Sequence, residues 1–533
     1  MEASRKTAHG ATALAALAGI AAAGLVLGVA ELAGAFFTAR ATPVIALGST
    51  FIDFTPPWLK DFAIATFGTN DKAALFVGMA VTIALLAAVL GVVAFRRWAL
   101  GAAGVGLMGL VIVAAVLTRA GAGPLDAVPS AIGTALGLLA LRWLMARLHR
   151  VQAGSPASGT QPPTDDDADA VGAGTPPTPS RRNFFAAVGA TAVVAAAAAA
   201  AGRAISSARN TVNAARESLT FPAPASASPA LPQGLEVPVD GVDSWLTPNA
   251  DFYRIDTALS VPQLDLDSWE LRVHGMVEEE FTISFQDLLA AELIERHVTL
   301  TCVSNPVGGN LAGNAKWLGY PLRELLARAR PTSGADMVLS TSSDGFSAST
   351  PLPVLQDDRD AMLAIAMNGE ALPVEHGFPV RMVVPGLYGY VSATKWVVDL
   401  EVTRFADKTA YWTDRGWSEK GPIKTMARIE VPRSFAKTAT GAVMVGGSAW
   451  SQQRGITKVE VSLDGGDWEE ATLAAEASVD TWRQWSHEVD LEPGSHTIRA
   501  RATDATDGLQ TEERADPVPN GASGWHSVQF TAA

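Results

Sequence analysis

The sequence predicts a multi-domain chain: an N-terminal all-α transmembrane bundle, then an extramembrane half that is α+β at first and closes as an all-β sandwich. Three observations predict it. Long apolar runs crowd the first 150 of 533 residues, the charge changes sign between the halves, and strand and turn signals fill the second half. Residues 1–150 hold 11 Lys/Arg against 6 Asp/Glu, whereas residues 184–533 hold 27 against 44. So acidic a second half argues against nucleic acid as a partner, because phosphates would be repelled.

Apolar runs at 11–38, 73–95, 100–117 and 128–144 approach or exceed the roughly 20 residues a spanning helix needs. These four define a transmembrane domain over 1–150. Arg5 and Lys6 precede the first run, Arg96 and Arg97 follow the second, and Arg142, Arg147 and Arg150 follow the fourth. Basic residues at alternate ends place the amino terminus and residues 151–183 in the cytoplasm. The first external loop carries Phe51, Phe54 and Trp58, aromatics suited to a membrane–water interface. None of the eight histidines lies inside an apolar run, so a haem held by paired histidines is not expected in the bundle. Glu31, near the external end of the first span, is expected to snorkel; the other reading is a functional site within the membrane.

Residues 151–180, with Asp165, Asp166 and Asp167, read as a disordered cytoplasmic linker. Ser180-Arg181-Arg182-Asn183-Phe184-Phe185 and the alanine-rich run behind it match a twin-arginine export signal, and 181–205 reads as a fifth transmembrane helix. An ordinary fifth helix gives the same topology. Everything after Arg203 then lies outside the cytoplasm, on a protein that crosses the cell membrane several times. An extracytoplasmic linker follows over 206–237, rich in Ala, Pro and Ser and flexible from about 217.

Beyond it, Gly308, Gly309 and Gly313 fit neither the Walker nor the Rossmann spacing. Residues 421–533 read as all-β: alternation at 459–463, a turn at Asp464-Gly465-Gly466, and a further strand at 496–502. Cys302 is the chain's single cysteine. One thiol cannot make a disulfide, an iron–sulfur cluster or a structural zinc site within one chain. It can be a nucleophile, one soft-metal ligand or a small core residue.

Several separated blocks resemble the sulfite oxidase family of molybdopterin enzymes, in the family's order. They include Thr247-Pro248-Asn249 with Asp251-Phe252-Tyr253-Arg254, Thr301-Cys302, Lys316-Trp317, and Ser343-Asp344-Gly345-Phe346. The series continues with Met367-Asn368-Gly369-Glu370, His376-Gly377-Phe378-Pro379-Val380-Arg381, Lys395-Trp396 and Trp482-Arg483-Gln484-Trp485. The resemblance implies a molybdopterin-binding domain over 238–420 and an immunoglobulin-like, dimerisation-type domain over 421–533. It implies a mono-pterin molybdenum cofactor, with Cys302 as the metal's thiolate ligand. Asn249, Phe252, Tyr253 and Asp344 would contact the cofactor. His376 and Arg381 match the pterin-binding pair, and Ala393, Thr394 and Lys395 match the phosphate side, with one residue more between Arg381 and Lys395 than is usual. Arg254 would contact the cofactor and face the metal's open position as a second catalytic group; the other readings are a cofactor-only contact and a structural ion pair. Trp317 and Trp396 read as core residues that fix these loops.

Two departures bear on substrate. Sulfite oxidase has arginines soon after its cysteine, where this chain reads Asn305-Pro306-Val307-Gly308. Trp417 stands where that enzyme has an active-site tyrosine, and an indole offers only one N–H. The resemblance therefore implies two-electron oxygen-atom transfer on a small molecule, with sulfite itself in question. Without haem or iron–sulfur ligands, electrons must pass to a cytochrome, a quinone or a membrane subunit. A homodimer is compatible with the last domain. The alternatives are a reductase of S- or N-oxides, such as methionine sulfoxide, fed from the membrane, and a non-enzymatic binding module tethered to the lipid bilayer.

Overall fold

A computed structural model describes residues 2–37, 42–56, 66, 71–118, 123–153, 181–209, 212–506 and 508–533. Two compact units contain them, Met1–Asn210 and Thr211–Ala533. Trp58 and the expected linker from 154 to 180 lie outside the described residues.

The first unit is helical: α1 (Glu2–Gly34), α2 (Pro43–Phe54), α3 (Asp71–Arg96), α4 (Trp98–Leu117), α5 (Val128–Ala153) and α6 (Arg181–Arg209). All but α2 are long and apolar enough to cross a membrane. The short α2 falls in the stretch expected as the first external loop. Helix α1 packs against α3, α5 and α6, and small residues set those contacts. A side chain at Gly19 would collide with the carbonyl of Ala87 in α3, and one at Gly28 with that of Ala195 in α6. Facing outward, Leu85, Leu107, Leu110, Leu139 and Val193 are exposed. Glu31 corrects the expectation of snorkelling: it is 7% exposed. Gly202 of α6 packs against its backbone, where a Cβ would stand 2.7 Å from the Glu31 carbonyl.

The second unit is β-rich. One sheet runs β2 (Phe281–Ser284), β1 (Glu270–Gly275), β10 (Val397–Thr403), β5 (Met337–Ser342), β6 (Ser347–Pro351), with only β1 and β10 parallel. A second runs β3 (Ile294–Thr301), β4 (Ala312–Pro321), β7 (Met362–Met367), β8 (Glu370–Ala371), and β9 (Arg381–Val383) also pairs with β7. The β7 segment is buried on both faces, as its uninterrupted apolar run requires. Between β7 and β8, Asn368 and Gly369 turn the chain at φ 53° and 87°, the signature of a tight hairpin.

A sandwich follows. Strands β11 (Met426–Val431), β13 (Gly441–Trp450), β17 (Arg483–Leu491) and β16 (Thr472–Leu473) form one sheet. Its partner is β12 (Lys437–Thr438), β19 (His526–Ala532), β18 (Gly494–Asp504), β14 (Ile456–Leu463) and β15 (Glu469–Glu470). Val445, Trp485, Val459, Ile498 and Phe530 fill the space between. Burial alternates along β18 with a period of two, which is what one face against a core and one against water produces. A separate core joins Leu271, Ile365 and Leu400 to Met426, Trp450 and Trp482, so apolar packing runs on across position 420.

The segment read as a flexible linker is instead a fitted strap from Val212 onward. Helix Val212–Ser218 opens it, and Val212, Leu219 and Phe221 pack on the cluster around Trp317. The N–H of Ala225 then donates to Leu293 O (2.8 Å) and that of Glu295 to Ser226 O (2.9 Å). Its composition resembles a linker because extended Ala/Pro/Ser backbone can meet a strand edge without large side chains of its own.

Candidate active site

Cys302 follows directly on β3. Its N–H donates to Leu311 O at 2.9 Å, and the side chain of Asn305 accepts from Leu311 N–H at 2.9 Å. These two bonds close the loop 302–311 and hold the thiol, 9% exposed, with Sγ 2.9 Å from Ser304 Oγ. Burial pushes the Cys302 thiol up from its ordinary value, and the Ser304 contacts only partly oppose this. A thiolate here needs a positive partner, which a metal supplies. Among the described residues no group of three or more His, Cys, Asp or Glu gathers to hold a metal. Cys302 offers one thiolate at most, which suits a metal whose other ligands arrive with it.

Cations lie behind it. Arg381, 5% exposed, donates from Nη1 to His376 O (3.2 Å) and from Nε to Met382 O (3.3 Å), and stacks over Trp317 at 5.1 Å. Among the described residues it has no carboxylate partner, and burial pulls its pKa down to about 10. An unpaired buried guanidinium is costly. It calls for an anion, and the phosphate of a molybdopterin fits that need. Lys395, pulled down to about 8 by burial against the pull of Asp256, donates to Asp256 Oδ2 (2.9 Å) and Glu375 O (3.0 Å).

His376 is neutral, since burial first and the Arg381 and Lys395 charges next hold it at about 4. Its Nε2 lies 3.2 Å from Asn249 O. A carbonyl only accepts, so Nε2 carries the proton and Nδ1 is left as an acceptor. Asn249 is fixed in turn: Oδ1 accepts from Asn368 (2.8 Å) and Nδ2 donates to Glu370 (2.5 Å). Phe252 stands edge-on to both His376 and Trp317. Tyr253 is raised far above its ordinary value, by burial first and then by the Cys302 charge, while Arg381 pulls the other way. Asn249, Phe252, Tyr253, Cys302, His376 and Arg381 thus form one neighbourhood.

The remaining expected residues have local partners. Thr394 Oγ1 meets Ser340 Oγ at 2.7 Å, and Ala393 N–H donates to Gly389 O. Asp344 accepts from Phe346 N–H at 3.2 Å within its own turn. Arg254 pairs with Asp256 through Nε at 2.8 Å and its side chain is 40% exposed, an ion pair of the kind its structural reading describes. Trp317 and Trp396 are buried, with indoles bonded to Val298 O and Val374 O. Trp417 packs on Tyr390 and Trp412.

Sequence reasoning missed three groups. Arg428 donates to Gly309 O at 3.3 Å while paired with Glu430 and Asp243. His526 accepts from Ile429 N–H at 2.9 Å and lies against Gly308 (φ 79°), where any side chain would collide with it. Tyr388 is 4% exposed and feels the Cys302 charge. Only Tyr388 had a signal: an aromatic between glycines in the segment that ends at Lys395.

Residues 258–412 match the oxidoreductase molybdopterin binding domain family and residues 422–531 the Mo-co oxidoreductase dimerisation domain family. The mitochondrial sulfite oxidase of Rattus norvegicus is 30% identical over 339 residues, 54% of this chain and 61% of the rat protein. The oxidoreductase YuiH of Bacillus subtilis is 31% identical over 160 residues, 30% of this chain and 76% of its own length. The crystal structure of a sulfane dehydrogenase from Paracoccus pantotrophus covers 55% of this chain and 85% of its own, at TM-score 0.49 and 24% identity.

Proposed function

This chain belongs to the sulfite oxidase family of molybdopterin oxidoreductases, and we propose that it works as a membrane-anchored, extracytoplasmic enzyme of oxygen-atom transfer. The observation that carries the reading is Arg381, a buried cation with no carboxylate partner among the described residues, in one neighbourhood with a buried lone thiol. A molybdenum cofactor bound here supplies two-electron redox chemistry at the metal. The chain's own residues do the rest. Cys302 gives the thiolate ligand, and Arg381 with Lys395 neutralises the phosphate. Neutral His376 offers Nδ1 to an N–H donor of the pterin, and Asn249 braces the ring that offers it. The loop 302–311 keeps bulk water from the thiol. Arg254, on this reading, turns from Asp256 toward an oxyanion substrate.

Five apolar helices with apolar outer faces support the membrane anchor. Arg181 and Arg182, exposed at the start of α6, support the twin-arginine reading. The two-sheet sandwich, read as immunoglobulin-like, supports pairing with a second copy. Electrons pass to a cytochrome, a quinone or a membrane subunit. Trp417, a ring without a hydroxyl, favours a second reading, the reduction of S- or N-oxides.

Molybdenum and pterin content of wild type and Cys302→Ser tests the class. About one of each per wild-type chain, with an altered metal signal in the variant, is the expected result. Wild type free of molybdenum from a cofactor-producing host would leave only a tethered binding module. A substrate panel with artificial donors and acceptors then separates oxidase from reductase.

A further inference from the structure

The strap that opens the second unit reaches the candidate site by two routes. The first is apolar. Val212, 7% exposed, belongs to one buried cluster with Phe252 and Trp317, and the Phe252 ring stands edge-on to His376 at 5.6 Å. The second is polar. Arg216 Nη2 lies 3.9 Å from Glu370 Oε2, and the other oxygen, Oε1, accepts from Asn249 Nδ2 at 2.5 Å. Asn249 in turn offers its carbonyl to His376 Nε2 at 3.2 Å.

Two residues of one short helix, Val212–Ser218, thus stand behind two neighbouring pieces of the site, Phe252 and Asn249. Leu219 and Phe221 pack on the same cluster and carry the strap onward. A seven-residue helix is too short to hold its shape alone, so its fold depends on these contacts. Segments of this kind open locally, ahead of the unit they belong to. Each opening withdraws the backing of Phe252 and Asn249 together.

We propose that helix Val212–Ser218 is a clasp: it holds Phe252 and Asn249 in place, and its opening sets how fast the cofactor leaves. This rests on the site assignment above. Val212 and Arg216 are positioning residues, acting through Phe252 and through Glu370 and Asn249. Coupling of this kind is reciprocal, so a group bound at the site holds the clasp shut by the same factor.

Full-length protein from a cofactor-producing host is held at one temperature, and the pterin it retains is followed by fluorescence after gel filtration. Val212→Ala is expected to release pterin about tenfold faster than wild type, through the loss of two buried methyl groups. Arg216→Gln, which removes a partly exposed ion pair, is expected to release it about threefold faster. Val489→Ala is the same truncation at a position also 7% exposed, but in the core of the sandwich; its release is expected within twofold of wild type. Equal release from the two alanine variants overturns the proposal, since general loosening would then explain both, and so does wild-type release from Val212→Ala. Should Val212→Ala purify without pterin, Arg216→Gln carries the comparison. Amide exchange gives a second readout: loading is expected to slow exchange over 212–221, and exchange indifferent to loading overturns the clasp. Wild type free of molybdenum would instead overturn the enzyme reading. Exchange over 247–254 in the unloaded chain then decides on the clasp, faster in Val212→Ala if it backs those residues and unchanged if it does not.

Discussion

Arg381 is worth following through both states of the protein. Without cofactor it is a buried charge facing carbonyls and a tryptophan ring; with cofactor, on the proposed reading, it faces a phosphate. Arg381→Met should therefore act with opposite signs. Protein made in a host that lacks the cofactor should gain about 1–3 kcal/mol of stability, because the desolvation cost disappears. Protein made in a cofactor-producing host should lose most of its molybdenum and pterin. Parallel thermal melts and metal analysis check both halves, and a variant destabilised in both hosts would show that the guanidinium acts structurally. The sequence was legible at this scale wherever a residue sat in a contiguous motif. His376, Arg381, Asn249 and Cys302, each carried by such a motif, lie in one neighbourhood. Arg428 and His526 had no such marker, since what makes them matter is a hydrogen bond to another loop rather than a neighbour in the chain.

Among elements, the loop 302–311 shows how a sandwich can shape a candidate metal site that it does not contain. Gly308 sits at φ 79° against His526, and Gly309 O takes a bond from Arg428. Gly308→Ala should cost about 2–4 kcal/mol, combining left-handed backbone strain with the steric conflict. His526→Ala in the same chain should return the steric part and leave the strain. A double-mutant cycle on melting temperature, read with the metal's spectrum, measures that coupling; strict additivity would mean that the two do not meet. The β-strand signals at 459–463 and 496–502 fall within β14 and β18, because one-sided burial writes itself into alternate residues. The strap from Val212 was not legible. Its hydrogen bonds use backbone groups, and backbone is the same in every sequence.

For the molecule as a whole, two family matches meet near position 420, yet the core does not stop there. Met426, Trp450 and Trp482 pack with Leu271 and Leu400, and Trp482 Nε1–H donates to Trp245 O at 2.8 Å. A fragment ending at residue 420 should accordingly expose that core, bind hydrophobic dyes and retain no molybdenum, whereas the intact second unit from residue 211 keeps both layers. Dye binding and metal analysis on the two fragments decide it, and a compact, metal-loaded 211–420 fragment would count against the shared core. In the helical unit, α1 offers backbone-tight seats to α3, α5 and α6. Ribosomes make that helix before its partners, and the last of them, α6, only after the intervening helices. The hub of the bundle therefore has to wait, incompletely covered, through most of the unit's synthesis. Its own late-arriving partner is also the segment that leads into the second unit, so biogenesis closes the helical unit at the moment the molybdopterin-binding half begins to be made.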